Sequence, residues 1–475
     1  MRIIRIVFLW PVVMLAACAP ALKEAPPQIG EIQVPSPLVR GNPAVTPVSK
    51  LDMHEWWSIF DDPQLNKLLE IGIRDNPGLA EAKARIGEAQ AQIVMAGAKQ
   101  LPHLDTADDM TRMHRSDNGD HAIYNGKTYT VANINPLMLS YRIDLFGQEQ
   151  ENVDMAQAGT EAARASYKES QLLLRAAIIK TYFALKTAGW MLNKQDEVIH
   201  LAEAGHAVMR AAYRAGLESS SRAIAQNASI AGEKAKLSAL RQRQQALHFA
   251  LAALLGKGPD YDAEINAIAP GLPPTLPVPE NLGLDTLSQR PDIERALWQV
   301  KYFLHAEISA QKAFYPNINL RALIGLNSIG LNSLLSTGSA TYAIGPAVSL
   351  PIFDGGTLKG RFAANAAAYE ASIYAYNQAV FTAARQVATG LADMDNTRQM
   401  LADKEEALSQ MQAYARVAAA EYRAGLNDQS AEIGATTKLN QAEMSLMETR
   451  LQWLAAMTDL ATSLGGEFQG VADVR

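Results

Sequence analysis

The sequence predicts a mixed α/β membrane protein, mainly α, built as two internal structural repeats with four β-strands per chain. Three observations carry this. The pentapeptide Tyr213-Arg214-Ala215-Gly216-Leu217 returns as Tyr422-Arg423-Ala424-Gly425-Leu426, each copy closing a very long run of helix-forming residues. Stretches of alternating apolar and polar residues stand at matching places before those runs, the period of strands with one apolar face. Beyond the N-terminal segment, no stretch reaches the roughly 18–20 apolar residues of a spanning helix. Any passage through a bilayer therefore falls to strands in a closed barrel.

The chain has 475 residues, of which 48% are hydrophobic but only 7% aromatic. With abundant alanine, that mix suits closely packed helices rather than a bulky core. The net charge of −6 carries no basic stripe, which excludes nucleic acid as a partner. No phosphate-binding glycine loop, zinc motif or nucleophile elbow occurs, so no enzyme activity and no cofactor are expected. His103, His114 and His121, with Asp105, Asp108, Asp109, Asp117 and Asp120, read as a solvated rim rather than a metal site.

In chain order, Arg2 and Arg5 precede an apolar run from Ile6 to Leu15 and the small residues Ala16 and Ala17. Residues 1–17 therefore read as a secretory signal. Leu15-Ala16-Ala17-Cys18 resembles the bacterial lipoprotein signal, which implies that Cys18 becomes the acylated first residue. Ala19, in place of aspartate, implies sorting to the outer membrane. Residues 18–49, with seven prolines from Pro20 to Pro47, read as an extended lipid-anchored tether. Residues 50–255 form the first repeat: order begins near Trp56-Trp57, with helices from Pro63 to Arg74 and from Pro77 to about Gln100. A weakly patterned strand follows between His103 and His114. In the next strand Tyr129, Val131, Leu137, Leu139, Tyr141, Ile143 and Leu145 fall on one face by simple alternation. A helix of about 100 Å then runs from Gln148 to Ala215. Gly216 turns the chain, and Ser219-Ser220-Ser221 caps a helix reaching Leu255. Residues 256–289 are a proline-rich linker. Residues 290–465 repeat the plan, with Arg290-Pro291 in the place of Asn76-Pro77 and Tyr315-Pro316 in that of Leu101-Pro102. Ile318, Leu320, Ala322, Ile324 and Leu326 share one strand face, and Tyr342, Ile344, Val348 and Leu350 another. A helix from Thr357 to Ala424 leads to the second turn and a last helix ending near Leu464. Residues 466–475 form a C-terminal tail.

Four strands are too few to close a membrane barrel without an exposed edge, so the barrel is shared. Two chains supply eight strands and three supply twelve. Tyr129 and Tyr342 at one end, and Tyr141, Phe146, Tyr315 and Phe353 at the other, suit aromatic girdles at the membrane interfaces. The helices are too polar to span lipid, and a ring of them extends the barrel as a tube.

Several motifs carry a resemblance: Trp56-Trp57 with Asp62-Pro63-Gln64-Leu65, Asn76-Pro77, Ala313-Phe314-Tyr315-Pro316-Asn317-Ile318, Leu350-Pro351-Ile352-Phe353-Asp354-Gly355-Gly356 and the paired tips. With the lipoprotein signal they resemble the outer-membrane efflux lipoproteins, the NodT-type branch of the TolC-like family, over essentially the whole mature chain. The resemblance implies a homotrimer with a twelve-stranded outer-membrane barrel continued by a periplasmic α-helical barrel. Such a protein is the passive exit duct of a tripartite pump for drugs or other small toxic compounds, with a periplasmic adaptor and an inner-membrane transporter as partners. It implies adaptor contact by Arg214, Ala215, Gly216 and Leu217 and by Arg423, Ala424, Gly425 and Leu426. The family's gate carboxylates would fall on Ala431 and Gly434, so that acidic ring is missing here. Arg222 facing Asp428 or Glu432 across neighbouring helices is the expected substitute, a latch of about 0–1 kcal/mol per exposed pair; solvated surface charges are the alternative. A type I protein-secretion duct and a lipid-anchored periplasmic coiled-coil protein remain as other readings.

Overall fold

The computed structural model describes residues 20, 39, 42–48, 55–119, 123–261, 265, 271–272, 275–279, 282–283 and 287–466. The expected signal, Cys18, His121, Asp120 and most of the tail lie outside these residues. The strands are β1 (Val45–Val48), β2 (His103–His114), β3 (Thr128–Ile143), β4 (Leu276–Pro279), β5 (Asn317–Ile329) and β6 (Ala340–Ser349). The helices are α1 (Pro63–Asp75), α2 (Pro77–Ala98), α3 (Gln148–Arg214), α4 (Ser220–Leu254), α5 (Pro291–Lys312), α6 (Thr357–Arg423) and α7 (Gln429–Ser463). Their lengths match in pairs: α2 and α5 have 22 residues each, α3 and α6 have 67, α4 and α7 have 35. None of the described helices is long and apolar enough to cross a membrane.

The chain divides into two compact units. One takes in Arg85–Ala163 and Arg295–Tyr376, and the other Arg164–Glu294 with Ile29–Ala84 and Asn377–Arg475. The first holds an antiparallel sheet in the order β2-β3-β5-β6. Both ladders of β3 are interrupted at one place. Ile134 pairs with Leu326, but Leu137 pairs with Ile324, so β3 carries one extra residue at Asn135-Pro136. Proline has no ladder donor and is tolerated at such a bulge. The Asn135 N–H donates instead to the Asp108 carboxylate at 3.1 Å, and its amide donates to the Ala107 carbonyl at 3.2 Å. Gly325 lies opposite, where a Cβ would stand 2.5 Å from the Ile134 carbonyl oxygen.

The bulge corrects the expected faces. An extra residue exchanges inside and outside along the rest of a strand. Thr130, Ala132 and Ile134 share the face of Leu137, Leu139 and Tyr141, whereas Tyr129 and Val131 lie on the face of Ser140 and Arg142. Tyr129 therefore does not share a girdle with Tyr342. Its hydroxyl accepts from Arg115 Nε at 3.0 Å, and its ring lies against Tyr124.

In the second unit the supposed tether and linker pair with each other: β1 and β4 form a two-stranded parallel sheet. Their prolines hid them from strand patterning. Asn42 Nδ2 donates to the Leu391 carbonyl at 2.8 Å, and Arg398 donates to the Pro43 carbonyl at 2.7 Å, so residues 42–48 are docked rather than a free tether. Helix α1 starts on Asp62, whose carboxylate accepts from the N–H groups of Gln64 and Leu65, with Pro63 in the first turn. Its apolar stripe buries Leu65, Leu68 and Leu69, each worth about 1.5–3 kcal/mol. Two junctions are built alike. Asn76 Nδ2 donates to the Leu254 carbonyl at the end of α4 at 2.9 Å, and the Arg290 guanidinium donates to the Ser463 carbonyl at the end of α7. Both satisfy helix-end carbonyls that have no partner in their own helix.

Candidate functional site

Both hairpin tips have the same backbone. The Leu217 N–H donates to the Ala212 carbonyl and that of Gly216 to Tyr213; Leu426 and Gly425 do the same to Glu421 and Tyr422. This is the six-to-one, five-to-two pattern of a helix ended by a left-handed residue. Gly216 sits at φ 72° and Gly425 at φ 70°. A Cβ on either would meet nothing within 4 Å, so the glycines are required by backbone conformation and not by space. Such turns often pack the following apolar residue back on the helix. Here Leu217 is 80% exposed and Leu426 79%. The tips thus present an apolar side chain beside a cation, Arg214 or Arg423.

Sequence reasoning located these turns but did not foresee their charge pairing. Arg222 forms an ion pair with Glu218 of the tip turn just before its helix, a residue that carried no signal of its own. Asp428 caps α7, accepting from the Ala431 N–H at 2.9 Å, and Glu432 lies in that helix's first turn, where its charge favours the dipole. Within one chain, then, Arg222 is held by Glu218 and not by Asp428 or Glu432. Ser219 occupies its expected position at the start of α4 but makes no side-chain cap; its hydroxyl bonds Ser221 instead.

The sheet has two chemically distinct faces. Leu104, Met110, Leu137, Leu139, Ile318, Leu320, Ile324, Tyr342, Ile344 and Val348 share one, and Tyr342, Ile344 and Val348 are strongly exposed. Asp105, Asp109, Asn133, Ser140, Arg142, Asn319, Arg321, Asn327 and Gly345 share the other. Asn327 and Asn133 bond each other on this polar face, and Arg142 pairs with the buried Glu149. Strands β2 and β6 are the sheet's edges, each paired on one side only. Beside the sheet, Phe146 stacks on Tyr315 at 4.8 Å.

Two ionic nodes brace the units internally. Glu151 receives His305 Nδ1 at 2.6 Å and Lys312 Nζ at 2.7 Å, with Asp154 near by. Both Glu151 oxygens are taken, and the lysine supplies the compensating charge that a cation would. Burial works to raise the Glu151 pKa, but the bonds from His305 and Lys312 prevail and hold it below the usual range. At Asp62 burial is likewise outweighed, by hydrogen bonds from the Tyr182 hydroxyl at 2.7 Å and Lys186 Nζ at 2.9 Å, and the carboxyl is lowered.

A sheet with one apolar and one polar face, carried with long helical hairpins, defines the class: an outer-membrane channel. The chain belongs to the outer membrane efflux protein family, whose profile matches residues 68–257 and 282–466. The multidrug resistance outer membrane protein MdtP of Escherichia coli K12 is 28% identical over 428 residues, covering 87% of this chain and 86% of its own. The crystal structure of the outer membrane protein VceC from Vibrio cholerae matches with TM-score 0.77 at 26% identity, over 87% of this chain and 99% of that one. The CmeC outer membrane channel of Campylobacter jejuni shares the fold, with TM-score 0.82 at 20% identity over 96% of each chain.

Proposed function

We propose that this chain is the outer-membrane exit duct of a tripartite efflux pump, passing drugs or other small toxic compounds out of the cell. The observation that carries the reading is the two-faced sheet with unpaired edges at β2 and β6. Three copies joined edge to edge give a twelve-stranded barrel with lipid outside and water inside, which removes every edge. The hairpins, too polar for lipid, then lie in the periplasm as an α-helical barrel. Their tips meet a periplasmic adaptor that couples the duct to an inner-membrane transporter. The two repeats, residues 50–255 and 290–465, supply two hairpins per protomer to that ring. Cys18 carries the lipid anchor. Arg222, meeting Asp428 or Glu432 across neighbouring helices, shuts the lower end. The work is done by shape, polarity and opening, without catalysis.

Deleting the gene tests the reading. Susceptibility to a panel of toxic compounds rises while protein secretion is unchanged. A loss of secretion with unchanged susceptibility would instead identify a type I secretion duct. The name of the relative MdtP favours the first outcome.

A further inference from the structure

Among its described residues the polar face of the sheet is mostly neutral, with one guanidinium standing uncovered. Arg321 lies on the central strand β5, exposed, directly between Ser140 of β3 and Gly345 of β6. These are among the smallest neighbours a strand can offer, and the space above Gly345 is open, with nothing within 4 Å of where a Cβ would be. The other arginine of this face, Arg142, is committed to Glu149. The nearest acid that the strands themselves set on the face is Asp105, paired with Met138 two strands from β5 and two residues further along. At about 4.8 Å per strand and 3.4 Å per residue, it stands roughly 12 Å away, beyond the Debye length of about 8 Å at physiological salt. Asp109 is further still, opposite Asn133. Next to Arg321, Leu323 and Met138 form a cross-strand pair on the same face, a half-buried apolar step beside the charge.

We propose that Arg321 determines the specificity of the duct. Its guanidinium, repeated in every protomer, forms a cationic ring that favours small organic anions, carboxylates and sulfonates, whose apolar part slides along Leu323 and Met138. This assignment rests on the duct reading above, in which the polar face lines the passage. Rings of charged side chains select ions in channels generally. A guanidinium stays charged at every relevant pH and offers a planar fork that matches a carboxylate. Binding at an open, water-filled ring is weak enough for the anion to leave, as conduction demands.

The full-length wild type, Arg321→Gln, Arg321→Lys and Asp105→Asn proteins are reconstituted in planar bilayers. Reversal potentials are read across a KCl gradient and again with benzoate replacing chloride. Arg321→Gln lowers the anion-to-cation permeability ratio about twofold or more, with the larger fall for benzoate. Arg321→Lys keeps the chloride ratio and loses part of the benzoate preference, and Asp105→Asn moves the ratio the other way. Wild-type ratios in a conducting Arg321→Gln protein overturn the assignment alone. Absence of ion conduction in both the wild type and an Arg222→Ala protein overturns the duct reading and this assignment with it.

Discussion

Gly216 and Gly425 show how a single residue sets a working surface. Each adopts a positive φ with open space around it, so a side chain there is penalised by the backbone and not by packing. Gly216→Val or Gly425→Val costs about 1–2 kcal/mol locally at an exposed tip that the folded core does not depend on. Efflux falls while the yield of assembled protein, read by immunoblot of outer membranes, stays near wild type; normal pumping by both variants would reduce the tips to plain turns. At Asp62 the effect is on stability. The carboxylate caps α1 and receives Tyr182 and Lys186, so Asp62→Asn destabilises the protein by about 1–3 kcal/mol. Because the folded pKa is lowered, this contribution is full above the unfolded value of about 3.9 and is lost as pH falls through the lower folded value. Thermal melts at pH 7 separate wild type from Asp62→Asn, and the gap narrows progressively as pH falls below the unfolded value. Arg222 can be tested against its partner in the tip turn, Glu218. If it latches a neighbouring helix, Arg222→Ala raises bilayer conductance and Glu218→Ala does not; if the Glu218 pair is its whole role, the two variants behave alike.

At the scale of elements, strand β3 decides the chemistry of both sheet faces. Its extra residue turns a sequence that alternates on paper into two segments of opposite sense. The bulge depends on Gly325, where a Cβ would press on the Ile134 carbonyl. Gly325→Ala therefore costs about 1–3 kcal/mol by overpacking and loosens the β3–β5 register. A drop in heat-modifiable barrel on unboiled gels checks this; an unchanged band would show that the bulge relaxes freely. The strands β1 and β4 teach the converse lesson. Proline removed their pattern from the sequence, yet Asn42 and Arg398 anchor the segment to α6.

For the whole molecule, the proposed shared barrel has the strands, and not the lipid, cross the bilayer. Cys18→Ser therefore leaves barrel formation intact and removes only the anchor, seen as loss of acyl mass from the mature N-terminus. Wild-type protein with an unmodified Cys18 would refute the anchor. In mild detergent the protein sediments as a trimer, since a lone chain would leave the edges of β2 and β6 open; a stable monomer would refute the shared barrel.

The sequence by itself determined the helices, the tips and the two-faced strands. These depend on local signals: glycine after a helical run at Gly216 and Gly425, proline starting α2 and α5, Asp62 before Pro63, and period-two alternation in β5 and β6. Neighbours distant in the chain decided the rest. The face of Tyr129 depends on a bulge that only pairing with β2 and β5 reveals. The β1–β4 pair joins segments more than 200 residues apart. The partner of Arg222 follows from which rotamer reaches Glu218, and the exposure of Arg321 from the small residues Ser140 and Gly345 that the register sets beside it. Periodicity records what one element prefers, whereas register and contact are set only when elements meet.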